Sequence, residues 1–451
     1  MLYTDLNKAI DVGSSAHLVE IGGFKILVDC GMHPKKMGLE ALPDLSKILD
    51  DSLDFIAITH AHLDHCGSLP VLLRRQRNAR VLIAEESREL VFKMLRNSHG
   101  VMMKQRKECD VKEYPLFDNS ELDKIAGQLT PMAFNRPRVF EAGGEEIKIT
   151  FVPAGHIPGA ASVLFEHDRK KYLFSGDISF SDTNLLKGAR QLDEKIDVLV
   201  VETTRGQRER IEFADFKSEE ERLAHSISRV VRDGGSVLIP AFALGRMQEV
   251  MLIIEKYKQL KIIPAQTPVF IGGLAIDIAE HLVKLSKNSA YVNFNKKCLD
   301  SAKVFRGEIT VGKDFDEKGI YVFGSGMMVE RTSAYFAATA VMNDPANAIF
   351  LVGYCDPETP AGRLMQTQPC GDFAFRDLFF VGSLNCKFDK FDLTSHADRN
   401  EILEYILRKD PRCVVLTHGG EKSREWFMYE IFDRLPNTNV VIPNPSETLS
   451  L

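Results

Sequence analysis

In nine residues, Thr59-His60-Ala61-His62-Leu63-Asp64-His65-Cys66-Gly67, the chain gathers three histidines and a carboxylate directly after the apolar run Phe55-Ile56-Ala57-Ile58. The run reads as a buried strand, so its end is a fixed point from which side chains can be aimed. His60 and His62, two apart, can point the same way and hold one metal ion through imidazole nitrogen, while Asp64 and His65 can face a second. Zinc takes this mixture of nitrogen and carboxylate oxygen. A histidine-rich surface loop without a ligand role seldom sits between a strand and an apolar helix, here Leu69-Pro70-Val71-Leu72-Leu73.

The order His-x-His-x-Asp-His-x-Gly resembles the signature of the metallo-β-lactamase fold, and further segments match that resemblance in order. Ile147 to Val152 reads as a strand running into Pro153-Ala154-Gly155-His156, and Lys171 to Phe174 as another ending in Ser175-Gly176-Asp177. Upstream, Ile26-Leu27-Val28-Asp29-Cys30-Gly31 is similar to the first motif of the family. By the resemblance His156 is a metal ligand, Asp177 bridges two metals, and Asp29 orients the ligand loop without binding metal, as carboxylates behind metal-bound imidazoles do. Taken singly, an aspartate at a strand end is a turn former.

Later segments resemble the β-CASP branch of this fold, which processes nucleic acid. After Val198-Leu199-Val200-Val201 comes Glu202-Thr203-Thr204; near the C-terminus stand Ser395-His396-Ala397-Asp398 and Leu416-Thr417-His418-Gly419-Gly420. Between them, Pro240 to Glu249, Gly324-Ser325-Gly326-Met327-Met328 and Gly353 to Leu364 are similar to segments of the β-CASP insert. Histidines at the positions of His396 and His418 accompany RNA substrates in this family, and the chain is similar there to the endonuclease of the eukaryotic pre-mRNA 3′-end cleavage machinery and its short prokaryotic counterparts. One departure stands out. The family commonly continues after the Ser-Gly-Met segment into a glycine pair, which permits unusual backbone angles, whereas this chain has Val329-Glu330-Arg331.

The implied fold class is α/β: a metallo-β-lactamase αββα sandwich interrupted by a β-CASP α/β domain with a parallel sheet. Expected boundaries are 1–204 for the first part, 205–372 for the insert and 373–451 for the return. The insert alternates helices (219–231, 245–257) with short apolar strands (236–240, 269–271, 320–323, 348–352), the pattern of a parallel sheet. Such an insert is expected to cover the metal site and leave a cleft for RNA. Cys413 to Leu416 and Val440 to Ile442 read as returning strands.

Composition narrows the class further. The 451 residues, 44% hydrophobic, suffice for two cores, and no apolar run could span a bilayer. Met1-Leu2-Tyr3-Thr4-Asp5 lacks the features of a signal peptide. Eight cysteines, scattered from Cys30 to Cys413 without a Cys-x-x-Cys pair, read as buried thiols in a reducing cytoplasm. Cys66 reads as a small buried residue beside the ligands. A net charge of −6 excludes a protein that coats nucleic acid nonspecifically but not a nuclease, because bound metals add positive charge at the site. The basic clusters Arg74-Arg75-Gln76-Arg77 and Lys104-Gln105-Arg106-Lys107 read as solvated helix faces.

The resemblance thus implies two zinc ions per chain: His60, His62 and His156 on one, Asp64, His65 and His418 on the other, Asp177 on both. Asp64 and Asp177 count among the catalytic groups, with His396 as general acid and Glu202 orienting it. Hydrolysis of RNA to 5′-phosphate and 3′-hydroxyl ends follows. Arg246, at a helix start, together with Ser325, Gly326 and Met327, is the expected RNA contact. The expected partner is single-stranded RNA, with a second copy of the chain as a further one and no membrane. Two other classes fit parts of the pattern. A hydrolase of small esters or thioesters has no use for Glu202, His396 or the insert, and a non-catalytic RNA-binding subunit is expected to have lost ligands.

Overall fold

Hydrophobic strands with both faces buried dominate the chain, and they assemble into three main sheets. A computed structural model describes residues 1–190, 194–207 and 215–451. They form two compact units: Met1–Asp182, Gly188–Arg210 and His396–Leu451 in one, Thr183–Lys187 and Ile211–Ser395 in the other.

The first unit holds two seven-stranded sheets. One runs in the order Thr448–Ser450, Leu2–Asp5, His17–Ile21, Phe24–Val28, Phe55–Ile58, Arg80–Ala84, Leu129–Met132. The other runs Asn439–Val441, Cys413–Thr417, Val198–Glu202, Lys170–Phe174, Ala161–His167, Glu145–Pro153, Arg138–Ala142. Alternate residues of both, including Ile26, Ala57, Phe151, Val163 and Val415, meet in one continuous core, and Phe55 of one sheet packs on Phe140 of the other at 4.8 Å. Residues of the opposite parity, such as Leu27, Ile56, Leu199 and Leu416, are also fully buried, as expected of strands covered on both faces. On the outer face of the second sheet the cover is the helices Arg399–Lys409 and Glu421–Arg434, which contribute Ile402, Ile406, Phe427 and Ile431 to a shared cluster.

Strand direction positions the site. Phe24–Val28 and Phe55–Ile58 are parallel, so Asp29 and Thr59 emerge side by side. Lys170–Phe174, Val198–Glu202 and Cys413–Thr417 are likewise parallel, with Glu202 opposite Thr417. Their carboxyl ends therefore deliver Asp177, Glu202 and His418 to one edge.

The second unit is built on a six-stranded sheet, all parallel, in the order Lys303–Val304, Val269–Ile271, Ile320–Phe323, Val237–Pro240, Ala348–Leu351, Lys387–Lys390. The expected return at residue 373 requires correction. Lys387–Lys390 pairs with Ala348–Leu351, and Phe373 and Phe375 are buried in the same core as Tyr335, so residues 373–395 stay with the insert and His396 begins the return. At the other end, the described residues up to 207 belong to the first unit and those from 215 to the second, so the expected start of the insert at 205 falls within the first unit's described residues. A small excursion, Thr183–Lys187, also belongs to the second unit, where Glu249 accepts the N–H groups of Asn184 and Leu185.

Six cysteines are buried, while Cys109 and Cys370 are exposed, so the expectation of uniformly buried thiols fails at two positions. Among the basic clusters, Arg74, Arg75 and Arg77 pair with Glu121, Asp50 and Asp51, in line with solvated charges. Among the described residues no helix is long and apolar enough to cross a membrane.

The dependence of the first unit on its shared core is testable. Phe151, fully buried in it, should cost about 3–5 kcal/mol of unfolding free energy when replaced by Ala, and much less when replaced by Leu, as read from urea denaturation midpoints.

Candidate metal centre

The histidine cluster begins where the buried strand Phe55–Ile58 ends. Thr59 and His60 leave the strand, His62 caps the short helix Leu63–Cys66, and Asp64 and His65 lie within its single turn. Gly31 lies so near this turn that a Cβ there would stand 1.7 Å from the Asp64 carbonyl oxygen. The turn is held by backbone bonds from two neighbouring segments: Ser15 N–H to Asp64, Cys30 N–H to His65 and Met32 N–H to Leu63.

Two groups of donor atoms face each other. His60, His62, His156 and Asp177 form one, and Asp64, His65 and His418 the other. His62 Nδ1 lies 3.1 Å from His156 Nε2, and His65 Nε2 lies 3.1 Å from His418 Nε2. Asp177 divides its carboxylate between them. Oδ2 is 3.5 Å from both His60 Nε2 and His156 Nε2, while Oδ1 is 3.5 Å from His65 Nε2 and 3.2 Å from His418 Nδ1. Buried His60 Nε2 and Asp177 Oδ1 have no hydrogen-bond partner. Lone pairs converging out of water without protons to share are costly unless a cation takes them. The donor set, imidazole nitrogen with carboxylate oxygen, is one that holds divalent metals.

The surroundings fix the ligands. Asp29, with its backbone in the left-handed region at φ 62°, accepts from Thr59 N–H at 2.8 Å and from the Thr59 hydroxyl, and takes the Nδ1–H of His65 at 2.7 Å. That bond fixes the ring and turns Nε2 of His65 toward the site. Burial opposes charge on Asp177, yet His418, His65 and His396 hold its carboxyl well below the usual range. For His65 burial works against protonation, and Asp177, Asp29 and Asp64 overcome it, raising its pKa well above the ordinary value.

A second constellation adjoins the first. His396 Nδ1 lies 2.9 Å from the Glu202 carboxylate, which also accepts Ile178 N–H at 2.7 Å and the Thr204 hydroxyl. The Thr204 hydroxyl is in turn 3.0 Å from His418 Nδ1, so one side chain links Glu202 to a metal-facing histidine. The His396 ring lies 4.5 Å from that of His156. Burial lowers the His396 pKa, but Glu202 and Asp177 outweigh it and the net shift is upward. Asp398 caps the following helix with Glu401 in a reciprocal pair, so His396 itself is spared that capping role.

A family model described as metallo-beta-lactamase superfamily matches residues 9–240. The chain belongs to this superfamily. Its β-CASP branch is shown by matches to the Beta-Casp domain over residues 247–364 and to the Zn-dependent metallo-hydrolase RNA specificity domain over 382–443. The chain is 27% identical over 442 residues to "Probable RNase MJ4" of Methanocaldococcus jannaschii, covering 95% of this chain and 96% of that one. It is 26% identical to "Cleavage and polyadenylation specificity factor subunit 3" of Dictyostelium discoideum, covering 99% of this chain but only 57% of that relative. In fold it is similar to a crystal structure of a protein of unknown function from Enterococcus faecalis V583, with a TM-score of 0.57, 12% identity and coverage of 100% and 99%.

In the β-CASP unit the expected RNA contacts come together at the carboxyl ends of the paired strands Val237–Pro240 and Ile320–Phe323. Arg246 is the first residue of the helix Arg246–Gln259. Gly326 approaches Phe242 so closely that a Cβ would meet its backbone nitrogen at 3.0 Å. The Ser325 hydroxyl accepts Val329 N–H, and the Met327 carbonyl accepts Ala361 N–H. In this segment Met328 and Arg331 adopt positive φ, 52° and 62°, at a strain of about 1–2 kcal/mol each. Ion pairs Glu330–Arg363 (3.2 Å) and Arg331–Asp377 (3.4 Å) tie this segment down. Sequence reasoning gave no role to Thr59, Thr204 or Ser15, because a hydroxyl or an N–H beside a ligand carries no signal of its own.

The Gly31 contact predicts a specific defect. Gly31→Ala should displace the Asp64 carbonyl and weaken metal retention roughly 10–100-fold, measured by zinc competition with a chromogenic chelator. Unchanged affinity would show that the turn is not what holds Asp64.

Proposed function

We propose that the protein is a zinc-dependent ribonuclease that hydrolyses phosphodiester bonds of single-stranded RNA to 5′-phosphate and 3′-hydroxyl ends, in RNA processing or decay. The divided carboxylate of Asp177, one oxygen toward each donor group, is the observation that carries a two-ion reading. His60, His62, His156 and Asp177 would hold one zinc, and Asp64, His65, His418 and Asp177 the other. Bound there, the ions supply Lewis acidity, making water nucleophilic near neutral pH and offsetting charge on the phosphate oxygens.

The chain's own residues supply the proton. His396 directs Nδ1–H at Glu202, leaving Nε2–H as donor, and Glu202 and Asp177, outweighing burial, shift its pKa upward and favour the protonated ring. The 3′-oxygen is a poor leaving group without that proton. Glu202, gripped by Ile178 N–H and the Thr204 hydroxyl, holds the imidazole in one orientation. Relatives named as ribonucleases over nearly their full length support RNA as the substrate.

Arg246 supports a phosphate contact. It is buried at a helix start with Glu249 and Asp392 as charge neighbours, while burial brings its pKa down to about 10. A phosphate would pair with its guanidinium.

Endonucleolytic cutting is the favoured mode and 5′–3′ exonucleolytic cutting the second. Zinc-loaded protein should cut a circular RNA as well as a 5′-monophosphorylated linear one; a circle that survives while the linear RNA is degraded assigns an exonuclease. Elemental analysis should find close to two zinc ions per chain, with Asp177→Ala losing both.

His396→Ala should keep its metals and slow RNA cleavage roughly 10²–10⁴-fold. With sulfur in place of the bridging 3′-oxygen the leaving group needs little proton assistance, since a thiol has a pKa of about 8.5. The defect relative to wild type should shrink on that substrate, whereas that of Asp64→Ala should not. Equal impairment of His396→Ala on both substrates would refute the general-acid role. Arg246→Ala should weaken RNA binding and reduce its salt slope by roughly one with zinc content unchanged.

A further inference from the structure

His418 is held in a backbone conformation that its residue type resists. Its φ is 49°, in the left-handed region, where a Cβ crowds the following carbonyl. Such a conformation persists only where surrounding contacts over-determine it. Some are near at hand: Thr203 N–H and the Thr204 hydroxyl bond the His418 carbonyl at 3.3 and 3.2 Å, and the Thr203 hydroxyl bonds that of Thr417 at 2.9 Å.

The remaining grip comes from Arg424, whose side chain is completely buried. It lies in the first turns of the helix Glu421–Arg434, and its backbone N–H bonds Gly420. The side chain reaches back along the chain. Nε–H donates to the Gly419 carbonyl at 2.9 Å, and Nη2 reaches the Asp11 carbonyl at 3.4 Å. Its Nη1 is buried without a partner. Burying a guanidinium is costly, and here burial lowers its pKa, with Asp5, Tyr3 and Asp11 opposing that shift. A lysine or an apolar side chain would fill the space without a donor placed for Gly419. The bonded carbonyl belongs to the Gly419–Gly420 peptide, one unit beyond that of His418, so Arg424 ties down the loop that leaves His418.

We propose that Arg424 is a positioning residue that clamps the loop after the strand Cys413–Thr417, fixing His418 in the geometry with which it binds metal. The inference rests on the assignment of His418 as a ligand under the proposed function. Arg424 touches neither metal nor substrate, and acts through the Gly419 peptide and the Asp11 segment. Its loss should therefore appear first in the metal affinity of the His418 group, not in the core.

The test compares four variants of the full chain: Arg424→Met, Arg424→Lys, His418→Ala and Phe427→Leu. Phe427, on the same helix, is fully buried in the hydrophobic cluster behind the sheet, and its truncation reports simple destabilisation. Zinc retention is read by chelator competition, ligand geometry by the visible spectrum of the cobalt-loaded protein, and stability by thermal denaturation.

Arg424→Met and Arg424→Lys should weaken retention of the same metal equivalent that His418→Ala loses, by roughly 10–100-fold, and should shift the cobalt spectrum. Phe427→Leu should lower the melting temperature with affinity and spectrum unchanged. If Arg424→Met does not fold, the lysine variant, which keeps charge and bulk, carries the comparison. Both Arg424 variants holding metal as wild type does, while His418→Ala loses an equivalent, would overturn the inference alone. His418→Ala retaining every equivalent would overturn the ligand assignment and the inference with it.

Discussion

Buried lone pairs with no protons to share are the constraint on which the first unit turns. Imidazole nitrogens from His60, His62, His65, His156 and His418 converge with the carboxylates of Asp64 and Asp177 within a few ångströms. Left without a cation, such an arrangement would repel itself and forfeit its hydration. The fold brings it about through parallel strands. Where neighbours run in the same direction, their carboxyl ends share an edge, and residues distant in sequence, such as Asp177, Glu202 and His418, arrive together without long side-chain excursions.

Holding that cluster open requires a rigid frame, and the frame is mainly backbone. Asp29 and His418 both occupy the left-handed region, held there by specific bonds: the Asp29 carboxylate to Thr59 and His65, the His418 carbonyl to Thr203 and Thr204, and the next carbonyl, of Gly419, to the buried Arg424. The Thr204 hydroxyl then couples this metal-facing group to Glu202 and, through it, to His396. A chain of hydrogen bonds thus joins His418 to Glu202 and His396 within one unit.

The second unit applies the same principle to different ends. Three of its distinctive segments leave the carboxyl ends of adjacent parallel strands, the usual place for ligands in open α/β sheets. In the segment that follows Gly326, Met328 and Arg331 take left-handed backbone in spite of their side chains, and the ion pairs of Glu330 and Arg331 help to hold it.

What the sequence by itself determined is the inventory. Runs of apolar residues ending in His60, His156, Asp177 or His418 are legible because a buried strand must alternate or saturate with hydrophobic side chains and because metal ligands are few in kind. The same logic disclosed the parallel sheet of the insert. Only the packed structure shows which oxygen of Asp177 faces which group, which nitrogen of His65 faces the site, and that Thr59, Thr204 and Arg424 hold the segments around the donor residues, since hydrogen bonds between residues far apart in sequence leave no local pattern. It also moved the end of the insert from 372 to 395. Strand Lys387–Lys390 carries charges in place of a hydrophobic run, so its membership in the sheet rests on backbone hydrogen bonds to Ala348–Leu351, and backbone bonds are the one interaction that every residue type except proline makes alike.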